Sequence, residues 1–127
     1  MGEQDGAGRL GIGLFGASTG GGAALVAAAE RPHAVGAVVS RGGRPDLAGP
    51  ALARVAAPAL LIVGSLDDAV IDLNRQALAE LRGEKRLELV PGATHLFEEL
   101  GALDEVARLA RDWFGRHLTP LLGLGSW

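Results

Sequence analysis

The sequence predicts a single α/β domain, a parallel sheet of about four strands with helices on both faces. Three observations carry this expectation. Short apolar runs recur, bounded by glycine or proline; segments of helical periodicity separate them; and most runs are apolar throughout, as strands buried on both faces are. The chain has 127 residues, 48% hydrophobic and 21% charged. That is one domain with enough apolar material for a buried core.

Residues 1–9 are polar and glycine-bearing and are expected to be loose. Leu10, Ile12, Leu14 and Phe15 make the first apolar run and predict a buried strand over 10–16. The alanine-rich stretch 18–31 predicts a helix stopped by Pro32. "AVGAVVS", 34–40, is a β-branched strand candidate, and "RGGRPDLAGP", 41–50, reads as a loop with a short helix over 50–56. "PALLIVGS", 58–65, is the third strand, opened by a proline at its edge. From Asp68 to Arg82 the apolar residues Val70, Ile71, Ala77, Leu78 and Leu81 recur at helical spacing. Asn74 is the exception in that series, and Gly83 is the stop.

"RLELV", 86–90, alternates as a fourth strand, and "PGATHLFEELG" is a long loop. An amphipathic helix is expected over 102–118. It carries Leu103, Val106, Ala110, Trp113, Phe114 and His117 on one face, with Asp104 and Arg108 spaced to pair on the other. The tail 119–127 has no clear period, so the expected organisation is a loose segment 1–9, a domain 10–118 and a tail 119–127.

Composition narrows the function. Net charge is −3 with a pI of about 5.5, which argues against nucleic acid as a partner, because a phosphate backbone demands a basic face. The chain has no cysteine, which excludes disulfides, thiolate nucleophiles and cysteine-based zinc sites. The uncharged stretch 10–29 is diluted by Gly, Ser and Thr, and the residues before it are mixed in charge. Neither a membrane span nor a signal peptide is expected, and a cytoplasmic setting is. His33, His95 and His117 are dispersed and no His-Glu-x-x-His occurs; Asp67, Asp68 and Asp72 read as a solvated helix start. No metal and no cofactor are expected.

In such a sheet, ligands bind where strands end at their carboxyl side. After the first strand stands Gly16-Ala17-Ser18-Thr19-Gly20, a Gly-x-Ser-x-Gly. A serine on a sharp strand-to-helix turn is exposed and strained, and small flanking residues let the turn close. The Thr19 N–H at the start of the next helix could donate to an oxyanion. After the third strand comes Asp67, and after the fourth comes His95. The order Ser, Asp, His, with spacings of 49 and 28 residues, is that of a nucleophile, orienting acid and general base on this sheet type. Taken singly, Ser18 and Asp68 are plain helix caps, Asp67 a turn residue and His95 a loop residue; the combination at three strand ends is what points to chemistry.

From Leu10 to Leu118 the chain resembles the carboxyl-terminal half of an α/β-hydrolase, most closely the dienelactone-hydrolase-like branch. "GLFGASTGGGAALVAAAERP" is similar to the nucleophile elbow and its helix, "APALLIVGSLDDAVIDLN" to the segment bearing the acid, and "VPGATHLFEE" to the histidine loop. Together with "SRGGRPDLA", these also resemble hydrolase domains that follow a phosphoribosyltransferase domain in some bacterial proteins. The resemblance implies hydrolysis of a small carboxylic-ester or related acyl substrate through an acyl-enzyme, with Ser18 in the role that a cysteine fills in dienelactone hydrolases proper. It also implies that half of the usual fold, with the second oxyanion donor, is absent. The expected consequences are weak activity and a bare apolar edge at strand 10–16 through which two copies could pair.

Two alternatives remain open at this point. Gly11, Gly13 and Gly16 spell Gly-x-Gly-x-x-Gly, and with Arg41 following the second strand they could open an NADP-binding β-α-β unit. The chain lacks tyrosine, and no lysine follows the glycines as a phosphate loop requires. The second alternative is a hydrolase-like module that binds without catalysing. In the hydrolase reading, Arg41 and Arg44 are candidates to contact a substrate carboxylate.

Overall fold

The computed structural model describes residues 11–118; the expectations for 1–9, for Leu10 and for the tail 119–127 lie outside the described residues. Four strands form one sheet: β1 (Ile12–Ala17), β2 (Val35–Arg41), β3 (Ala59–Gly64) and β4 (Lys85–Val90). They join in the order β1-β2-β3-β4 with every pair parallel. Parallel neighbours need a crossover from the end of one strand to the start of the next. These are α1 (Thr19–Glu30), the 3-10 segment Pro45–Arg54 and α2 (Asp68–Glu80), and α3 (Ala102–His117) follows β4.

Alternation along the strands divides the core in two. Val38, Ala59 and Leu61 face α1, the 3-10 segment and α2, packing with Leu25, Ala28, Leu52 and Ala77. Ala37, Val39, Leu60 and Ile62 face the other way, against Phe97 and the Val106, Ala110 and Trp113 stripe of α3. β3 is buried at all six positions, which is why its sequence is an unbroken apolar run rather than an alternating one. β1 bonds to β2 alone among the described residues. Ile12 is 58% and Phe15 49% exposed, one on each face, so the strand expected to be buried over 10–16 is seen as Ile12–Ala17 and is largely uncovered among the described residues.

Several local expectations change. The loop expected over 41–50 already turns helical at Pro45: two short 3-10 pieces, parted at Gly49 where φ is 52°, run from Pro45 to Arg54, and the second is the short helix expected over 50–56. Pro45 and Pro50 each open one of the two pieces, where a missing N–H costs nothing, and Pro50 cannot carry an α-helical hydrogen bond across the Gly49 break. On α3, Leu103 is exposed and Ala102 takes the inner position. Arg108 pairs with Glu105 and Asp112 rather than with Asp104. His117 packs on the Trp113 ring at 4.3 Å with Glu84 3.4 Å from its Nε2. No helix among the described residues is long and apolar enough to cross a membrane.

Candidate active site

β1 delivers Ser18 to the carboxyl edge of the sheet. The residue takes φ 55° and ψ −124°, a conformation costly for a residue with a Cβ. Surrounding bonds impose it: the Ser18 N–H donates to Arg41 O at 3.1 Å, and the Ser18 carbonyl accepts from Gly21 N–H and Arg44 N–H at 3.0 Å each. Ser18 stands at the cap position of α1, yet its side chain makes no capping bond. The hydroxyl points elsewhere: Ser18 Oγ lies 3.2 Å from His95 Nε2, and His95 Nδ1 lies 2.7 Å from Asp67 Oδ2. Asp67 likewise occupies the cap position of α2 without capping it. Ser18 forgoes the local bond that its helix-cap alternative requires, Asp68 lies inside α2 rather than at its cap, and Ser18 and Asp67 both turn toward one imidazole.

The carboxylate fixes the tautomer. His95 Nδ1–H donates to Asp67, which leaves Nε2 as an acceptor for the Ser18 hydroxyl. The Asp67 side chain is largely shielded and the His95 ring is 40% exposed, so the imidazole is anchored on one side and open on the other. The His95 loop is held at two points. Glu99 accepts from Thr94 N–H at 3.0 Å and from the Thr94 hydroxyl at 2.7 Å, and these bonds hold its carboxyl below the ordinary value of 4.5. Phe97, with φ 56°, drives its ring into the core at 1% exposure. Leu66 and Leu96, next in sequence to Asp67 and His95, are 61% and 60% exposed and make the surroundings apolar.

The glycines separate by role. A Cβ on Gly16 would lie 2.0 Å from Gly20 O, so this residue is what lets α1 start against β1. Gly20 has open space around it and its absent side chain clears nothing, contrary to the expectation that both ends of the pentapeptide are needed for clearance. Gly21 abuts Ser40 of β2, whereas Gly22 abuts the Arg44 carbonyl rather than the sheet. Gly11 precedes β1, and Gly13 and Gly16 lie inside it, with Gly13 giving room to the Phe114 ring. None of the three opens α1, so the geometry of a dinucleotide fingerprint is not met.

Thr19 is the first residue of α1, so its N–H has no intrahelical acceptor and stands one residue from Ser18 Oγ. Arg41 ends β2. Its guanidinium stacks over Phe97 at 5.2 Å from the ring centre, and its buried Nε finds no hydrogen-bond partner among the described residues. Arg44 is occupied by Asp46, through bonds of 3.0 and 2.8 Å. No group of three or more metal-ligating side chains comes together among the described residues. A cleft of about 220 Å³ lies between β4 and α3, lined by Arg86, Arg108 and Arg116 among others; it includes none of Ser18, Asp67 and His95.

No family model matches the chain. A solved dienelactone hydrolase from Anabaena variabilis is 64% identical to it with a TM-score of 0.84, over 85% of this chain and 50% of that one. The chain belongs to the α/β-hydrolase superfamily. An esterase domain from a Rhodothermus marinus protein shares the hydrolase fold at a TM-score of 0.74 and 22% identity, over 84% of this chain and 61% of that one. A Mycobacterium tuberculosis protein named "Putative phosphoribosyl transferase" is 62% identical over 109 residues, 86% of this chain and 25% of that protein. This hydrolase-fold chain thus spans half the length of the dienelactone hydrolase and a quarter of the mycobacterial protein.

The sequence left Asn74 and Glu99 without a role. Asn74 had a signal, as the polar exception on an apolar helix face; Glu99 had none, because its partner is fixed only by the fold of the loop.

Proposed function

We propose that the chain is a serine hydrolase acting on a small carboxylic ester or related acyl substrate. Ser18 is the nucleophile, His95 the general base and Asp67 the group that orients and stabilises the imidazolium. The supporting observation is the continuous run of contacts Ser18 Oγ, His95, Asp67, with both capping positions left unused. Ser18 Oγ attacks the acyl carbon while its proton passes to His95 Nε2, and the negative charge on the acyl oxygen is met by the Thr19 N–H. Collapse breaks the acyl–oxygen bond, and His95 returns the proton to the departing alcohol. Water then attacks the acyl-enzyme, again giving its proton to His95, and the acid leaves with Ser18 restored.

The apolar Leu66 and Leu96 suit an acyl chain at the mouth, and Arg41 is the candidate to meet an anionic group on the substrate. Among the described residues Thr19 N–H is the donor placed for the oxyanion, and losing one such donor costs roughly 100- to 1,000-fold. Hydrolysis of p-nitrophenyl acetate by wild type and Ser18→Ala tests this. The expected result is an acyl-enzyme burst in wild type that the variant lacks. Hydrolysis in Ser18→Ala equal to that of wild type, or neither burst nor turnover in wild type, overturns the assignment and leaves a hydrolase-like module without catalysis.

A further inference from the structure

We infer that Asn74, a residue outside the contact chain, is a positioning residue for Ser18 and His95; this rests on the serine-hydrolase reading. Asn74 is fully buried on α2, among residues where an apolar side chain would satisfy the helix face. Burying an amide is costly unless its groups are bonded. Its Nδ2 donates to Gly43 O at 3.1 Å and to Val70 O at 2.8 Å, whereas its Oδ1 has no partner among the described residues. The side chain is therefore half satisfied, a poor choice for stability alone, and its long-range bond is the one to Gly43.

Gly43 belongs to the loop Arg41–Arg44, and that loop meets two arms of the site. The Arg41 carbonyl and the Arg44 N–H grip the Ser18 peptide from both sides. Gly42, at φ 53°, lies against the His95 ring: a Cβ there would stand 3.5 Å from His95 Cε1 and Nδ1. Side chains do little to steady this loop, because its centre is two glycines with wide conformational freedom. Gly42 N–H is tied to Ile62 O at 2.6 Å, and the Asn74 amide supplies the second tie. The helix that carries Asn74 starts directly after Asp67, whose carbonyl accepts from Ile71 N–H at 2.9 Å. One amide thus couples the helix of the acid to the loop under the nucleophile and beside the base.

The test uses the whole chain with Asn74→Leu and Asn74→Asp, which delete the donor in two different ways while roughly keeping its volume. Two readouts are taken on folded protein: the rate of Ser18 labelling by a fluorophosphonate, and the His95 ring resonances by NMR. Both variants are expected to label at least about tenfold more slowly and to shift the His95 signals, with unchanged helix content. Wild-type labelling rate and unmoved His95 signals in either folded variant would overturn the inference and make Asn74 structural only. Should wild type fail to label while folded, the serine-hydrolase reading falls, and the His95 resonances alone then decide for or against positioning by Asn74.

Discussion

Two glycines of the same pentapeptide should respond oppositely to a single added methyl. In Gly16→Ala the new Cβ would stand 2.0 Å from Gly20 O, 2.4 Å from Gly20 C and 2.8 Å from Gly21 N. Ordinary carbon–oxygen contacts lie at roughly 3.3–3.6 Å, so the first turn of α1 must move by more than about 1 Å. All three obstructing atoms are backbone, so no rotamer relieves the clash. Overpacking costs about 1–3 kcal/mol where side chains can adjust, and the fixed backbone puts this case at about 3 kcal/mol or more. That corresponds to a fall in melting temperature of about 10 °C or more for a chain of this size. In Gly20→Ala the methyl meets nothing within 4 Å and sits in the first turn of α1. Replacing glycine by alanine in a helix gains about 0.5–1 kcal/mol, a rise of a few degrees. Thermal unfolding by circular dichroism reads both. A Gly16→Ala protein that melts like wild type, or a Gly20→Ala protein that melts well below it, would refute the clearance argument.

Three further outcomes follow from the geometry. Asp67→Asn should slow Ser18 labelling by about three to four orders of magnitude while leaving the melting temperature nearly unchanged, since the carboxylate does not cap α2; comparing labelling with thermal melts separates the two effects. The Glu99 clasp on Thr94 depresses the Glu99 carboxyl, so its contribution is present above pH 4.5 and is lost as pH falls through the lowered value. Hydrogen-exchange protection at Thr94 N–H should drop in that acidic window in wild type and be low at every pH in Glu99→Gln. The β1 edge, unpaired among the described residues, with Ile12 and Phe15 exposed and no charge or proline in Ile12–Ala17 to block pairing, is proposed to join a second copy of the chain. Sedimentation velocity should show self-association that Phe15→Lys abolishes, and a wild type that stays monomeric as concentration rises would count against it.

β3 was legible because a strand covered on both faces must be apolar at successive positions, as it is from Ala59 to Gly64, whereas the apolar run of β1 is largely uncovered. Chain order then brought Ser18, Asp67 and His95 to three strand ends, and it is the parallel topology that sets those ends side by side. What stayed hidden depends on contacts between distant segments. Gly21 and Gly22 in the alanine-rich helix both pointed to close packing on the sheet, which holds for Gly21 against Ser40, whereas Gly22 clears the Arg44 carbonyl. Helical spacing allowed either Leu103 or Ala102 inside, and packing chose the alanine. Arg108 had acidic neighbours on both sides, and the sequence does not rank Asp104 against Glu105 and Asp112. Asn74 stood out only as an interruption, because its partner Gly43 lies 31 residues away.

A serine hydrolase built on these contacts requires Ser18 to be an activated nucleophile. Treating the intact chain with a fluorophosphonate, in which the serine oxygen displaces fluoride at phosphorus, and mapping the adduct by peptide mass spectrometry tests it most directly. One adduct is expected, on Ser18, lost in Ser18→Ala and strongly slowed in His95→Ala. An adduct on another residue, or no adduct on the folded protein, would contradict it.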